Sequence, residues 1–213
     1  IMLNPTLLVA AALMLATPAR AETGFLDRSV QIRGQTYRYQ VYVPAEHSAE
    51  RAWPIIVELH GNGAQGTDGL FQTTGGLAAQ VRRNRSRFPT IVLFPQCRPG
   101  RRWTQPEMEE LVMAELDRTI EEFRGDPDRV YLTGYSMGAI GAFRIASRWP
   151  DRFAAIATIS TRVGEEPFGQ LGGKDVKVLM FGYTDIDYLP ADRIEIVPYD
   201  ARSSYFYTLP RTT

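Results

Sequence analysis

The chain has 213 residues, of which 44% are hydrophobic and 23% are charged, with 24 Lys and Arg residues against 24 Asp and Glu residues. This composition is typical of a soluble globular domain, and it excludes a disordered, collagen-like or coiled-coil chain. A balanced charge lacks the basic excess that nucleic-acid binding needs, so no nucleic-acid partner is expected.

The first 21 residues have the pattern of a secretory signal peptide. An apolar run that starts at Met2 ends in Ala19-Arg20-Ala21, the small-residue pattern of a cleavage site. An apolar N-terminal anchor is the alternative, because no Lys or Arg precedes the run. The remaining chain has no apolar stretch of roughly 18–20 residues, so no stable membrane insertion is expected after signal removal. We therefore predict a signal peptide over residues 1–21, a single domain over residues 22–213, and a secreted or periplasmic location.

Apolar runs and helical stripes follow each other along the chain. In chain order, the runs predict strands at Tyr37–Val43, Pro54–Leu59, Thr90–Phe94, Val130–Thr133, Ala154–Ile159 and Val176–Phe181. The later runs are continuous, a feature of strands buried on both faces, and helical patterns cover Pro106–Arg124 and Met137–Arg148. Alternating strands and helices predict an α/β fold, a mostly parallel sheet with helices on both faces. The segment after Tyr183 has three prolines and no helical stripe, so its place in the sheet is not predicted.

The strongest chemical signal is the pentapeptide Gly134-Tyr135-Ser136-Met137-Gly138, which fits G-x-S-x-G. A predicted strand precedes it and a predicted helix follows it, the context in which this motif presents an exposed nucleophilic serine on a sharp turn. The backbone N–H of Met137 then points to the place where an oxyanion forms. A structural turn with a buried serine is the alternative.

A glycine-rich loop, His60-Gly61-Asn62-Gly63-Ala64-Gln65-Gly66, follows the strand Pro54–Leu59. In hydrolases with the G-x-S-x-G turn, a loop at this place supplies the second oxyanion donor, and the Asn62 N–H is our candidate. A phosphate-binding loop is the weaker alternative, since no nucleotide-binding glycine motif is present. We predict that His60 orders this loop, and we predict neither a metal nor a cofactor.

Longer motifs resemble those of the α/β-hydrolase superfamily, and within it the secreted esterases of the polyhydroxybutyrate-depolymerase, feruloyl-esterase and phospholipase/carboxylesterase group. The matching stretches are Leu59-His60-Gly61, Phe94-Pro95-Gln96-Cys97 followed by Trp103, residues 126–138, and residues 149–156. The resemblance implies that Ser136 is the nucleophile and that Cys97 belongs to a family motif rather than to redox chemistry. It also implies that Trp103 lines the substrate pocket, although a large aromatic residue in the core is the alternative.

The acid and the base of a catalytic triad are the incomplete part of the prediction. Asp185 follows a late strand in a form that resembles the family's acid loop, with Asp187 as the alternate and an ordinary turn aspartate as the competing interpretation. The triad order in this fold is serine, acid, histidine. The two histidines, His47 and His60, both precede Ser136, so no residue is assigned as the base. A truncated or frameshifted hydrolase is one explanation, and a relative that has lost its base is the other.

Together these features predict a secreted serine hydrolase that cleaves carboxylic esters through an acyl-enzyme on Ser136. Its expected partner is a small-molecule or polymer ester, whose acyl and alcohol groups the sequence does not define, and no oligomeric state is predicted. A catalytically silent or truncated relative and a serine peptidase on the same fold are the alternatives.

Overall fold

A single eight-stranded sheet organises the chain in the computed structural model, which describes residues 22–159, 177–182 and 194–198. Its strands are β1 (Gly24–Ile32), β2 (Gln35–Val43), β3 (Trp53–Leu59), β4 (Ile91–Phe94), β5 (Gly125–Tyr135), β6 (Ala155–Ile159), β7 (Lys177–Gly182) and β8 (Ile194–Pro198). The helices are α1 (Gly76–Arg83), α2 (Pro106–Phe123) and α3 (Met137–Arg148). The predicted signal peptide lies outside the described residues.

The strand order is β1-β2-β4-β3-β5-β6-β7-β8. Strands β1 and β2 pair antiparallel, as do β2 and β4, whereas every other neighbouring pair is parallel. The prediction of a mostly parallel sheet is therefore confirmed. The parallel strands end at one common edge, which we call the carboxyl edge, where ligands of open α/β sheets bind.

Helices cover both faces of the sheet, as predicted. Helix α1 packs its buried face, which contains Leu77 and Val81, against one side of β2 and β4. Helices α2 and α3 pack against the opposite side, where they share a larger apolar core with the central strands. Among the helices of the described ranges, none combines the length and the apolar character that a bilayer crossing requires.

A buried carboxylate joins α2 to α3. Glu109 has a fully buried side chain and pairs with two half-exposed arginines of α3: Arg144 at 3.1 Å and Arg148 at 2.5 Å. A carboxylate can remain charged inside a protein when two cations and their hydrogen bonds replace its hydration. This pair of contacts fixes α3, and hence the residue that precedes it, relative to the rest of the core.

All six predicted strands and both predicted helices are present, but the structure adds β1, α1 and β8. In β1, Leu26 and Val30 alternate toward the core as an amphipathic strand should, but Arg28 occupies the apolar position between them. Its guanidinium binds Glu122 at 2.7 Å, so a charged residue lies on the inner face. Strand β8 lies in the tail that the sequence left unplaced, and it joins the sheet by parallel pairing with β7.

Candidate active site

Ser136 occupies the turn between β5 and α3. Its backbone has φ 52° and ψ −114°, a left-handed conformation that costs a non-glycine residue about 1–3 kcal/mol. The Ser136 N–H donates to the carbonyl of Ile159 at the end of β6, at 3.1 Å. Its own carbonyl accepts from the N–H groups of Ala139 and Ile140, which begin the α3 ladder. The half-buried serine is thus held at the carboxyl edge, on rigid elements, in the strained turn that the motif predicts.

Two glycines allow this turn to pack. A Cβ atom at Gly134 would overlap the backbone of Gly138, and a Cβ atom at Gly138 would overlap the carbonyl of Leu59 at the end of β3. The start of α3 therefore lies directly against β3, closer than any side chain would permit. This contact gives the physical reason for glycine at both outer positions of the pentapeptide.

The two predicted oxyanion donors begin helical turns at the same edge. Met137 is the first residue of α3, and Asn62 is the first residue of a short 3₁₀ turn that directly follows β3. Neither N–H has a hydrogen-bond partner among the described residues. The loop of Asn62 contacts the nucleophile strand, because a Cβ atom on Gly61 would lie 3.0 Å from the Tyr135 ring. The structure therefore brings Ser136 and both candidate donors to adjacent strand ends.

His60 is a buried link between three segments. Its Nδ1 lies 2.7 Å from the Gly61 carbonyl, and its Nε2 accepts the Cys97 N–H at 3.0 Å, which assigns the proton to Nδ1. Its backbone carbonyl accepts from the Trp103 indole at 2.9 Å. Burial lowers the pKa of His60 to about 4, so the ring is neutral at physiological pH. With both ring nitrogens engaged, His60 holds the loop as predicted and has no free lone pair for Ser136.

Trp103 and Cys97 lie in the core behind this loop. Trp103 is completely buried, packs edge-on against His60 and lies against Gly141 of α3. These contacts hold the glycine-rich loop against α3. Direct contact of Trp103 with substrate stays a prediction. Cys97 is also buried, and burial raises its thiol pKa to about 11, so it is not a reactive thiolate at neutral pH.

His47 lies at the opposite edge of the sheet from Ser136. Its Nε2 is 2.8 Å from the carbonyl of Phe123, the last residue of α2, and its ring stacks on Trp53, the first residue of β3. Because β3 runs from Trp53 to the carboxyl edge, its whole length separates His47 from Ser136. Neither histidine of the chain is therefore placed to act on Ser136. Asp185 and Asp187 lie outside the described residues.

The sequence analysis did not identify Glu58 as a titratable group near the site. It is the penultimate residue of β3, in register with Thr133 of β5, and its side chain is buried toward Gly76 at the start of α1. Burial raises its pKa to about 8, so the carboxyl is mostly protonated at neutral pH. A single charged residue inside the apolar run Ile55–Leu59 was the available signal.

Comparison with known families decides the classification. A family model described as "Putative esterase" matches residues 29–177, which include the turn of Ser136, the glycine-rich loop and most of the sheet. The chain belongs to this esterase family. The chain is 26% identical over 184 residues to "Putative esterase NocK" of Nocardia uniformis subsp. tsuyamanensis, a match that covers 81% of this chain and 52% of that protein.

Solved structures share the fold of this chain. A thermostable esterase superposes with a TM-score of 0.68 at 24% identity, over 82% of this chain and 54% of the other. The fluorophosphonate-binding serine hydrolase FphF of Staphylococcus aureus superposes with a TM-score of 0.64 at 15% identity, over 87% and 94% of the two chains. A ferulic acid esterase gives 0.62 at 14% identity, over 83% and 89%. The chain spans about half the length of NocK and of the thermostable esterase.

Proposed function

We propose that this esterase hydrolyses carboxylic esters through an acyl-enzyme on Ser136. The observation that carries the proposal is the strained turn of Ser136 at the carboxyl edge, with the N–H groups of Met137 and Asn62 at adjacent strand ends, where neither has a partner within residues 22–159, 177–182 and 194–198. A backbone strained in this way is retained when the surrounding structure over-determines it, which is a feature of functional sites.

The proposed chemistry has two halves. The Ser136 oxygen attacks the ester carbonyl carbon while a base takes its proton, and the two N–H groups stabilise the oxyanion of the tetrahedral intermediate. The intermediate collapses as the base returns the proton to the leaving alcohol, and the acyl group stays on Ser136. Water then attacks the acyl-enzyme in the same manner and releases the acid. Asp185 is the proposed acid that orients the base, with Asp187 as the alternate.

The proposed substrate is a small-molecule or polymeric carboxylic ester. Support comes from membership of the esterase family and from the folds shared with esterases and with a serine hydrolase. Secretion to the periplasm or the medium is a separate part of the proposal, supported by the apolar run that ends in Ala19-Arg20-Ala21.

A second candidate function is ligand binding without turnover. It is favoured by the placement of His47 and His60, since both histidines of the 213 residues are engaged in structural hydrogen bonds. A serine without an adjacent base is a weak nucleophile, and an oxyanion hole alone leaves a rate of roughly 10³–10⁴ over water. The two candidates therefore predict different rates for the same protein.

The deciding experiment compares the full chain with its Ser136→Ala variant in the hydrolysis of p-nitrophenyl acetate. Ser86→Ala, at an exposed serine in a surface turn, is the matched control. The proposal expects turnover that Ser136→Ala abolishes and Ser86→Ala keeps, together with one acetyl group trapped on the Ser136 peptide in mass spectra. Equal rates in the wild type and Ser136→Ala, with both chains folded by circular dichroism, would reject the enzyme and leave the binding function.

A further inference from the structure

The exposed large apolar side chains of the described residues all lie in segments at the carboxyl ends of β4 and β5. They are Leu70, Phe71, Tyr135 and Ile140, with 46%, 49%, 37% and 39% of their surface exposed. Tyr135 directly precedes Ser136, and Ile140 lies in the first turn of the helix that follows it. Leu70 and Phe71 follow the glycine-rich loop in the chain, and their loop is bound to the end of β4. We call these four residues the apolar rim.

Hydrogen bonds fix Leu70 and Phe71 at the carboxyl edge. Both of their backbone N–H groups donate to the carboxylate of Asp68, at 2.9 and 3.1 Å. The side chain of Gln96, just beyond β4, donates to the same carboxylate and accepts the N–H of the neighbouring Gly69. Gln72 then donates to the carbonyl of Phe94, the last residue of β4. The loop is thus bound to the sheet from below while its two apolar side chains face outward.

This arrangement suits the binding of an apolar ligand. Exposed apolar surface gains nothing in water, and a flexible loop could fold such side chains inward, whereas this loop is held by buried polar contacts. Apolar groups on a pre-organised support are typical of a binding surface, because binding then orders few side chains.

We propose that the apolar rim binds the acyl group of the ester and selects medium-length alkyl acyl groups over acetyl. The inference rests on the proposed function of Ser136. Strands β4 and β5 are separated by β3 alone, so their ends lie about 10 Å apart at the usual strand spacing. An extended chain of roughly eight atoms spans that distance. We expect an acyl group of six to eight carbons on Ser136 to extend from the end of β5 toward the end of β4, where the Phe71 loop is bound, whereas an acetyl group stays beside Ser136.

The first test measures binding without turnover. Calorimetry on the Ser136→Ala full chain compares p-nitrophenyl hexanoate with p-nitrophenyl acetate, before and after Phe71→Ser is added. The proposal expects the hexanoate to bind roughly tenfold more tightly, the equivalent of about 50 Å² of buried apolar surface, and expects Phe71→Ser to remove most of this preference. Phe71→Leu is the matched control, because it keeps an apolar side chain on the same backbone, and it should keep the preference.

The second test measures selectivity during turnover. The ratio of kcat/KM for hexanoate to that for acetate should fall roughly tenfold in Phe71→Ser. Equal affinity for the two esters, or a preference that survives both Leu70→Ser and Phe71→Ser, would overturn the proposal. A chain without Ser136-dependent turnover that still binds hexanoate through Phe71 would reject the hydrolase and keep the apolar rim, so the two failures are distinguishable.

Discussion

The central prediction concerns His60, because it separates a positioning residue from a catalytic base. Removing its side chain leaves the buried Cys97 N–H without an acceptor, which costs about 1–3 kcal/mol. The lost edge-on contact with Trp103 adds about 0.5–1.5 kcal/mol. We therefore expect His60→Ala to lower the free energy of unfolding by about 2–4 kcal/mol. His60→Gln, whose amide oxygen can accept the same N–H, should lose about half as much.

The assay is urea unfolding followed by tryptophan fluorescence, repeated between pH 4 and pH 8. A histidine whose pKa falls from 6.5 to about 4 on folding stabilises the protein fully above pH 6.5, and this contribution is lost as the pH falls toward 4. The difference between wild type and His60→Gln should therefore shrink on acidification, by at most about 1.4 kcal/mol per pH unit.

The same variants are tested for p-nitrophenyl acetate hydrolysis at a temperature where each is folded. A positioning role predicts that His60→Gln retains most of the wild-type activity with an unchanged pH profile. A loss of more than about a thousandfold in His60→Gln with unaltered stability would refute the reasoning, since that is the signature of a lost base rather than a loosened loop.

Three further predictions follow from packing and burial. Gly138→Ala should lower the free energy of unfolding by at least about 1–3 kcal/mol and abolish Ser136-dependent turnover, because its Cβ overlaps the end of β3. Gly63→Ala is the control: its Cβ meets open space, so its thermal melt should match that of the wild type. Replacing both arginine partners of Glu109 by Met should cost about 3–5 kcal/mol in urea unfolding, because it leaves a buried carboxylate unpaired; a smaller loss than that of Glu109→Gln would contradict this account. Glu115 is fully buried, its carboxyl oxygens have no partner among the described residues, and burial raises its pKa well above 4.5. Because the folded protein retains this proton, stability falls as the pH rises above 4.5. Glu115→Met should therefore raise the free energy of unfolding by about 1–3 kcal/mol at pH 7 and by less at pH 4. A loss of stability at pH 7 would be evidence for a hidden partner.

Much of the architecture could be predicted because the parallel strands are buried on both faces. Continuous apolar runs such as Pro54–Leu59 and Ala154–Ile159 have few other structures open to them, and the helix over Pro106–Phe123 keeps one apolar stripe from end to end. The nucleophile turn could be predicted for a similar reason. A strand, the pattern G-x-S-x-G and a helix in succession form a local arrangement, which neighbouring residues in the sequence determine.

The elements that the sequence did not predict depend on partners distant in the chain. Strand β1 carries Arg28 on its inner face, where ion pairs with Glu122 of α2 and with Glu22 accommodate the charge. Strand β8 is a short run between prolines, which becomes a strand through its register with β7. Pairing of this kind is a tertiary contact, and it leaves little trace in the periodicity of the strand itself.

By itself, the sequence determined the fold class, because strands and helices alternate along it. It also determined the turn that carries Ser136 and the candidate oxyanion donors, because each of these follows from the order of adjacent residues. Tertiary structure alone decided what the histidines do. His47 and His60 are both upstream of Ser136 in the chain, yet one lies at the far edge of the sheet and the other is held between Gly61 and Cys97. The apolar rim also exists only in three dimensions, since strand order and side-chain hydrogen bonds bring Phe71 to the edge of the sheet that carries Ser136.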